Sequence, residues 1–409
     1  MNSRFRAAGN GASRLAGFGL STVLLAVVSV ASVPAMVGAD GVAAWGAIAL
    51  GQAVGAVACL VVGYGWNVSG PSIIARGGTG TRRREYADSV RVKLSLLAPA
   101  GVLAAAVAVG LSPQHAPFAA AGALSATLVS LTSNWYFAGL ARPYTWLWLE
   151  IVPRVLSTAF GIALMHAGYG ALIGLASTSA GMVIGLIFVS LWVRHSTSSE
   201  ARSAPPKKPL REILASRRHG IVSMVISQLF LTAPFVIIAV AAPWAQATYA
   251  LVDKIRQLVS AGLNPIVVVF QGWVPRAADS ALPSRSRTAL AVTAGLAVAI
   301  GMTLIVCSPT LANWLSDRQI DISTSMGFLT ACIIAVDLFN SVLAYAVITS
   351  FNRVNIVSSA TLVSFVALLP TAIYGALQGG AEGVQVAVLC GLVLRVMMLL
   401  ARISRNLRG

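Results

Sequence analysis

Twelve apolar stretches divide this chain of 409 residues, each close to the roughly 20 residues that a helix needs to cross ~30 Å of hydrocarbon. Lipid offers no hydrogen bonds to the backbone, so stretches of this kind must satisfy their own as helices. The gaps between them are not alike. About 24 of the 29 Lys and Arg residues fall in alternate gaps and at the two chain ends, whereas the intervening gaps hold only Arg318. Short loops rich in Lys and Arg stay on the cytoplasmic side. The pattern predicts an all-α polytopic membrane protein with both termini cytoplasmic. A composition of 57% hydrophobic and 10% charged residues suits a chain solvated mainly by lipid. The formal charge of +17 then belongs beside anionic headgroups of the inner leaflet, so membrane lipids are expected partners and nucleic acid is not.

The spans are expected near 16–37, 42–64, 94–112, 117–138, 146–166, 170–193, 220–242, 247–272, 288–307, 323–349, 354–375 and 383–401. Gap 38–41 carries Asp40 and no basic residue and faces out. Gap 65–93 carries Arg76, Arg82, Arg83, Arg84, Arg91 and Lys93 and faces in. The longest outer gap, about 308–322, holds Asp317, Arg318 and Asp321. The first span is too long for a secretory signal and reads as an uncleaved anchor. Cys59, Cys307, Cys332 and Cys390 lie within or at the ends of spans, without metal-ligand spacing, and read as small apolar residues outside any disulfide framework.

A Pro-, Ser- and Lys-rich stretch from Ser196 to Pro209 splits the chain into an N-terminal lobe (1–195), a basic cytoplasmic linker (196–219) and a C-terminal lobe (220–409). The halves echo each other: Pro34 with Pro234, Trp45 with Tyr249, Arg76 with Arg276, and Arg142 with Arg353. With six spans each, both halves enter from the same side, as parallel repeats. Transporters use this plan with the substrate site near mid-membrane, so two parallel six-helix lobes around a central cavity are expected.

Signs of bond-making chemistry are missing. No sizeable loop carries paired acids, and the Gly-rich segment 75–81 lacks the spacing and lysine of a phosphate-binding loop. His115, His166, His195 and His219 are scattered. Neither an enzyme, a cofactor nor a metal is expected. What stands out is charge inside the spans, which costs ~2.5–3.5 kcal/mol per residue on insertion scales and so marks function by default. Glu150 and Arg154 stand at i and i+4 and can neutralise each other, with Pro153 between them as a kink. Asp253 and Arg256 can pair at i and i+3, leaving Lys254 without a partner. Asp337 and Arg395 can pair across helices; alternatively Arg395 meets an anionic substrate and Asp337 binds a coupling proton or sodium. The candidates for an anionic, pyrophosphate-like substrate are therefore Lys254, Arg256, Arg395 and Arg154, and those for a coupling ion are Asp337 and Asp253. Arginine favours phosphate because its planar fork makes bidentate contacts.

Three segments carry a resemblance. GYGWNVSGPSIIAR (63–76), WYFAGLARPY (135–144) and DKIRQLVSAGLNPI (253–266) with the following VPR (274–276) resemble, in order, the ends of spans two and four and the eighth span of bacterial polysaccharide flippases. These belong to the multidrug/oligosaccharidyl-lipid/polysaccharide exporter superfamily. The chain departs from that pattern after Pro34, where Ala35, Met36, Val37 and Gly38 stand in place of a nearby Arg, and at Ser72 and Ala141, where the family often has Arg and Glu. The resemblance implies a flippase that moves polyprenyl-pyrophosphate-linked oligosaccharide across a bacterial inner membrane by alternating access. It also implies coupling to H+, Na+ or membrane potential, with glycosyltransferases and a polysaccharide polymerase nearby. Two other readings stand beside it: a cation-coupled drug antiporter of the same superfamily, and a non-transporting scaffold of a polysaccharide synthesis complex.

Overall fold

The structure, a computed structural model, describes residues 2–196, 209–276, 281–316, 318–320, 322–351 and 353–408. Thirteen helical elements run through them, and no strand occurs among the described residues. They are α1 (Asn2–Gly63), α2 (Trp66–Arg76), α3 (Thr79–Leu111), α4 (Ala116–Leu128), α5 (Asn134–Leu140), α6 (Pro143–Trp146), α7 (Val152–His166), α8 (Ala171–Ser196), α9 (Leu210–Ala241), α10 (Gln246–Trp273), α11 (Leu282–Leu315), α12 (Thr324–Val342) and α13 (Val354–Arg408). π-helical turns join α6 to α7 (Leu147–Ile151) and extend α12 (Leu343–Ile348).

Two elements are too long for one crossing, and each is broken by glycine. Gly41 interrupts α1 at φ 84°, a conformation that L side chains disfavour and glycine adopts freely. Gly379 and Gly380 interrupt α13, and beyond the break its two halves touch at their backbones. A Cβ added to Gly383 would stand 1.9 Å from the carbonyl oxygen of Gly375. Eight apolar stretches among the described residues are long enough to cross a membrane, and Gly17–Gly63 and Asn355–Ser404 each contain such a break. Counting each of these as two, and adding the shorter apolar stretch Gln228–Ala241 and the charged helix α10, the spans number twelve. Large apolar side chains are exposed along nearly every span, among them Val102, Phe160, Val240, Val306 and Tyr374. In a water-soluble protein that would be a liability; against lipid it is the expected surface.

The chain forms two compact units, Met1–Thr232 and Ala233–Gly409, and the division falls within α9 beside Pro234. In the first, α1 lies against α4 at glycines. Cβ atoms on Gly51, Gly55 and Gly122 would fall 2.1, 2.3 and 2.3 Å from the carbonyl oxygens of Ala119, Ala123 and Ile48. Its core is aromatic, built on Trp66, Trp135, Tyr136, Phe137 and Trp146. The second unit has an aliphatic core around Leu343, Val347, Leu399 and Ile403.

Three expectations change. Gap 65–93 is not a loop: α2 and the first four turns of α3 occupy it, because a basic, amphipathic run can continue a membrane helix into the interface. Outer gap 308–322 shrinks, since α11 continues to Leu315. Gaps 38–41 and 376–382 are single helix breaks. Half of the expected linker (197–208), together with Asp317 and Asp321, lies outside the described residues, as does the side chain of Arg276.

Candidate functional site

In the second unit, α10 has apolar residues on one face and turns Tyr249, Val252 and Asp253 inward. Asp253, 5% exposed, is fully engaged. Its Oδ1 accepts from both Nε and Nη2 of Arg256, each at 2.7 Å, and its Oδ2 accepts from Nε2 of Gln257 at 2.7 Å. Residues three and four apart share a helix face, which is why the expected Asp253–Arg256 pair forms. Lys254 does not stand without a partner as expected; it too is engaged in an interaction. Arg256 also lies in the electrostatic field of Asp337 on α12, and Asp337 in that of Arg395 on α13. Among the described residues no salt bridge within 4.0 Å joins Asp337 to Arg395, so the two charges act on each other without direct contact. Instead the Nε of Arg395 is buried without a hydrogen-bond partner among the described residues.

Beside this charge cluster is a small recess lined by Tyr249, Asp253, Arg256, Thr330 and Gln385. It has room for one or two water molecules, far less than a pyrophosphate needs. Gln385, 1% exposed, donates to the Thr330 hydroxyl at 2.9 Å, while its own Oε1 has no partner among the described residues.

The first unit holds a second cluster. Lys93 is 2% exposed and Glu150 3%. Both are tied to one place, the interruption of the fourth span between Leu131 and Asn134. Lys93 Nζ donates to the Thr132 carbonyl at 3.0 Å, and the Ser133 N–H donates to Oε2 of Glu150 at 2.8 Å. A broken helix exposes carbonyls at the end of its first half and N–H groups at the start of its second. A cation and a carboxylate on the matching ends answer that need and the local dipoles together. The indole of Trp135 lies 5.9 Å from Lys93 Nζ, within cation–π reach.

Among the described residues no salt bridge joins Glu150 to Arg154, although each lies in the other's electrostatic field. The π turn Leu147–Ile151, with its i→i+5 hydrogen bonds, takes Glu150 off the i, i+4 row that a regular helix would have given. Besides the Ser133 N–H, the Glu150 carboxylate is met by the Trp146 side chain one turn earlier. Sequence reasoning missed Lys93 altogether by assigning it to a cytoplasmic loop. The signal was present in α3, where Tyr86, Ser89 and Lys93 recur at helical spacing and all three are buried.

The six residues named from sequence thus divide. Lys254, Arg256, Asp253, Asp337 and Arg395 come together in the second unit, whereas Arg154 belongs to the first, beside Lys93 and Glu150.

An all-α chain of twelve spans in two units, with charge buried in both, has the fold of the multidrug/oligosaccharidyl-lipid/polysaccharide transporters. Three solved structures share it. An inward-facing multidrug resistance transporter of that superfamily superposes with TM-score 0.71 at 15% identity, over 95% of both chains. The lipid II flippase MurJ, inward closed, superposes with TM-score 0.64 at 13% identity, over 95% of this chain and 87% of its own. A superfamily transporter from Pyrococcus furiosus, described as having a binding pocket of reversed polarity, gives 0.59 at 13% identity over 97% and 96%. No family model and no curated protein sequence matches the chain.

Proposed function

We propose that this protein is an alternating-access transporter that moves a polyprenyl-pyrophosphate-linked oligosaccharide from the inner to the outer leaflet of a bacterial inner membrane. The cargo would serve cell-surface polysaccharide synthesis, with glycosyltransferases and a polymerase as neighbours and both termini cytoplasmic. One observation carries the reading: a surplus of basic side chains inside the spans. Lys93, Arg154, Lys254, Arg256 and Arg395 stand against Glu150, Asp253 and Asp337. Charge in hydrocarbon is kept only where it is used or paired, and a net cationic interior favours an anionic cargo. Arg154, Lys254, Arg256 and Arg395 are the residues proposed to receive the pyrophosphate. The fold shared with a lipid II flippase is consistent with such a cargo. Membrane potential, at ~2.3 kcal/mol per charge per 100 mV, is large enough to bias movement of the headgroup.

The test is removal of the gene, with lipid-linked glycans quantified by mass spectrometry and their leaflet read with an impermeant probe. A complete repeat unit should accumulate on the cytoplasmic leaflet, and Lys254→Ala or Arg395→Ala protein that inserts normally should fail to restore export. Unchanged lipid-linked pools in the absence of the protein and of any second flippase would reject the reading. A second reading, a cation-coupled drug antiporter, is favoured by the buried carboxylate of Glu150 and by the fold shared with a multidrug transporter. It predicts sensitivity to cationic dyes on deletion, with surface glycan intact.

A further inference from the structure

The arginine-rich end of the first unit carries two arginines that no acid answers among the described residues. α3 begins there with Arg82, Arg83 and Arg84 in its first turns. The acids of the same stretch are taken elsewhere: Glu85 accepts from the Trp66 indole at 3.4 Å, and Asp88 stands 4.0 Å from Arg84. Arg82 is left. Its Nε donates to the Ile74 carbonyl at 2.9 Å, and no carboxylate among the described residues lies within 4.0 Å of it. The Gly-rich segment 75–81, which lacks the lysine of a phosphate-binding loop, thus has another use. Its tight turn brings Arg82 of α3 back to the last turn of α2 and fixes the direction of the guanidinium.

A second arginine reaches the same place from another element. α5 ends at Ala141, whose φ of 53° belongs to the left-handed region that closes helices, usually with glycine. The Arg142 N–H then donates to the Phe137 carbonyl at 3.1 Å. The chain reverses there, and the Arg142 guanidinium lies 5.9 Å from the Trp192 ring of α8, within cation–π reach. It too has no carboxylate within 4.0 Å among the described residues. Arg82 and Arg142 both act electrostatically on the phenol of Tyr136. Tyr136 is 1% exposed and is held edge-on by Tyr86, Trp135 and Phe137, with ring centroids 5.2–5.7 Å away. Its hydroxyl nevertheless has no hydrogen-bond partner among the described residues.

Two fixed forks from different elements and one hydroxyl suit a tetrahedral oxyanion, whereas a single fork already satisfies a planar carboxylate. The flank of the site says where such an anion comes from. Phe188 and Leu191, within about a turn of Trp192, are exposed, and so is Tyr144, two residues after Arg142. Apolar surface edged by an exposed tyrosine is what a helix presents at headgroup level. A water-borne phosphate needs no such flank; a lipid does. We propose that Arg82, Arg142 and Tyr136 form a binding site for the phosphate ester of a membrane lipid at the arginine-rich face of the first unit. The phosphate lies between the two guanidinium groups and accepts from the Tyr136 hydroxyl, with its chains along α8 beside Phe188 and Leu191. Two lipids share this chemistry: an anionic phospholipid of the leaflet, and a polyprenyl-pyrophosphate lipid. The second case rests on the transport reading and makes the site the cargo's first stop.

The experiment is native mass spectrometry of the full chain released from detergent micelles. It is titrated with dioleoyl phosphatidylglycerol, with undecaprenyl pyrophosphate, and with dioleoylglycerol, which lacks the phosphate and should not bind. Arg82→Gln and Arg142→Gln should each weaken phosphate-lipid binding about tenfold, the loss of one charge-assisted contact. Tyr136→Phe should weaken it less, and Arg402→Gln on the second unit, with the same loss of charge, should leave it unchanged. Arg82→Lys combined with Arg142→Lys keeps the charge and removes both forks, so it must weaken binding as well. Binding as in the native chain by that double variant, or by both glutamine variants, refutes the site. Displacement of the lipid by an equal concentration of inorganic pyrophosphate refutes its assignment to a lipid. Preference for undecaprenyl pyrophosphate would put the site on the cargo's route; equal affinities would make it a phospholipid site, whatever the protein transports.

Discussion

Asp253 has both carboxylate oxygens occupied, accepting at 2.7 Å from Arg256 and Gln257. Removing one partner of a buried pair is far worse than removing both, because the remaining charge has no compensation. Arg256→Ala should therefore lower stability by about 3 kcal/mol or more, whereas Asp253→Asn with Arg256→Gln together should recover most of the loss. Thermal unfolding in a lipid mimic reads both; equal losses would mean that the pair is not a unit. That pair was legible in the sequence because it depends only on helix periodicity. How near Asp337 stands to Arg395 was not, since that depends on the rotation of two different helices. Lys93 was hidden for another reason. A hydropathy reading ends a span at the first charge, and a buried lysine that answers a backbone carbonyl looks the same in sequence as one in water.

At the scale of elements, the breaks decide what packs where. The expected loops at 38–41 and 376–382 are helix breaks at glycine, because a chain in hydrocarbon can turn fastest where no Cβ obstructs φ above zero. The sequence also carries Gly51 and Gly55 four apart, the small-xxx-small spacing by which membrane helices bring their backbones close. Gly51→Val should force α1 from α4 at a cost of more than about 2 kcal/mol, since its Cβ would stand 2.1 Å from a backbone oxygen. Gly295→Ala, in α11 with nothing within 4 Å of the added Cβ, should leave stability unchanged or raise it by about 0.5–1 kcal/mol. Unfolding midpoints that fail to separate these two variants would show that the α1–α4 approach is slack. The π turn Leu147–Ile151 had no comparable signal, apart from Pro153 two residues beyond it. Its effect on Glu150 was therefore unreadable, and with it half of the first-unit cluster.

For the whole molecule, the count of the spans followed from the length of apolar runs, and their expected polarity rests on the side on which arginine collects. Both operate on the chain before any tertiary contact, which is why they could be read without a structure. They yield a direct expectation of orientation. Alkaline phosphatase fused after Ser316 should be active, outside the cytoplasm, whereas a fusion after Ile403 should be inactive and the same position joined to a fluorescent reporter should be bright. The reverse pair of signals would invert the topology and remove the basis for assigning a cytoplasmic origin to the cargo.

The close backbone contact between Gly375 and Gly383 has a consequence for how the protein is made. A turn of two glycines joins the last two spans, and Glu382 is the single charged residue beside it. Its carboxylate is taken by the Ser323 and Ser325 hydroxyls once the outer ends of α12 and α13 meet. The pair can thus leave the ribosome and enter the bilayer as one preformed hairpin, with almost no polar backbone to carry across, so that this part of biogenesis becomes the seating of a hairpin rather than the threading of two separate segments.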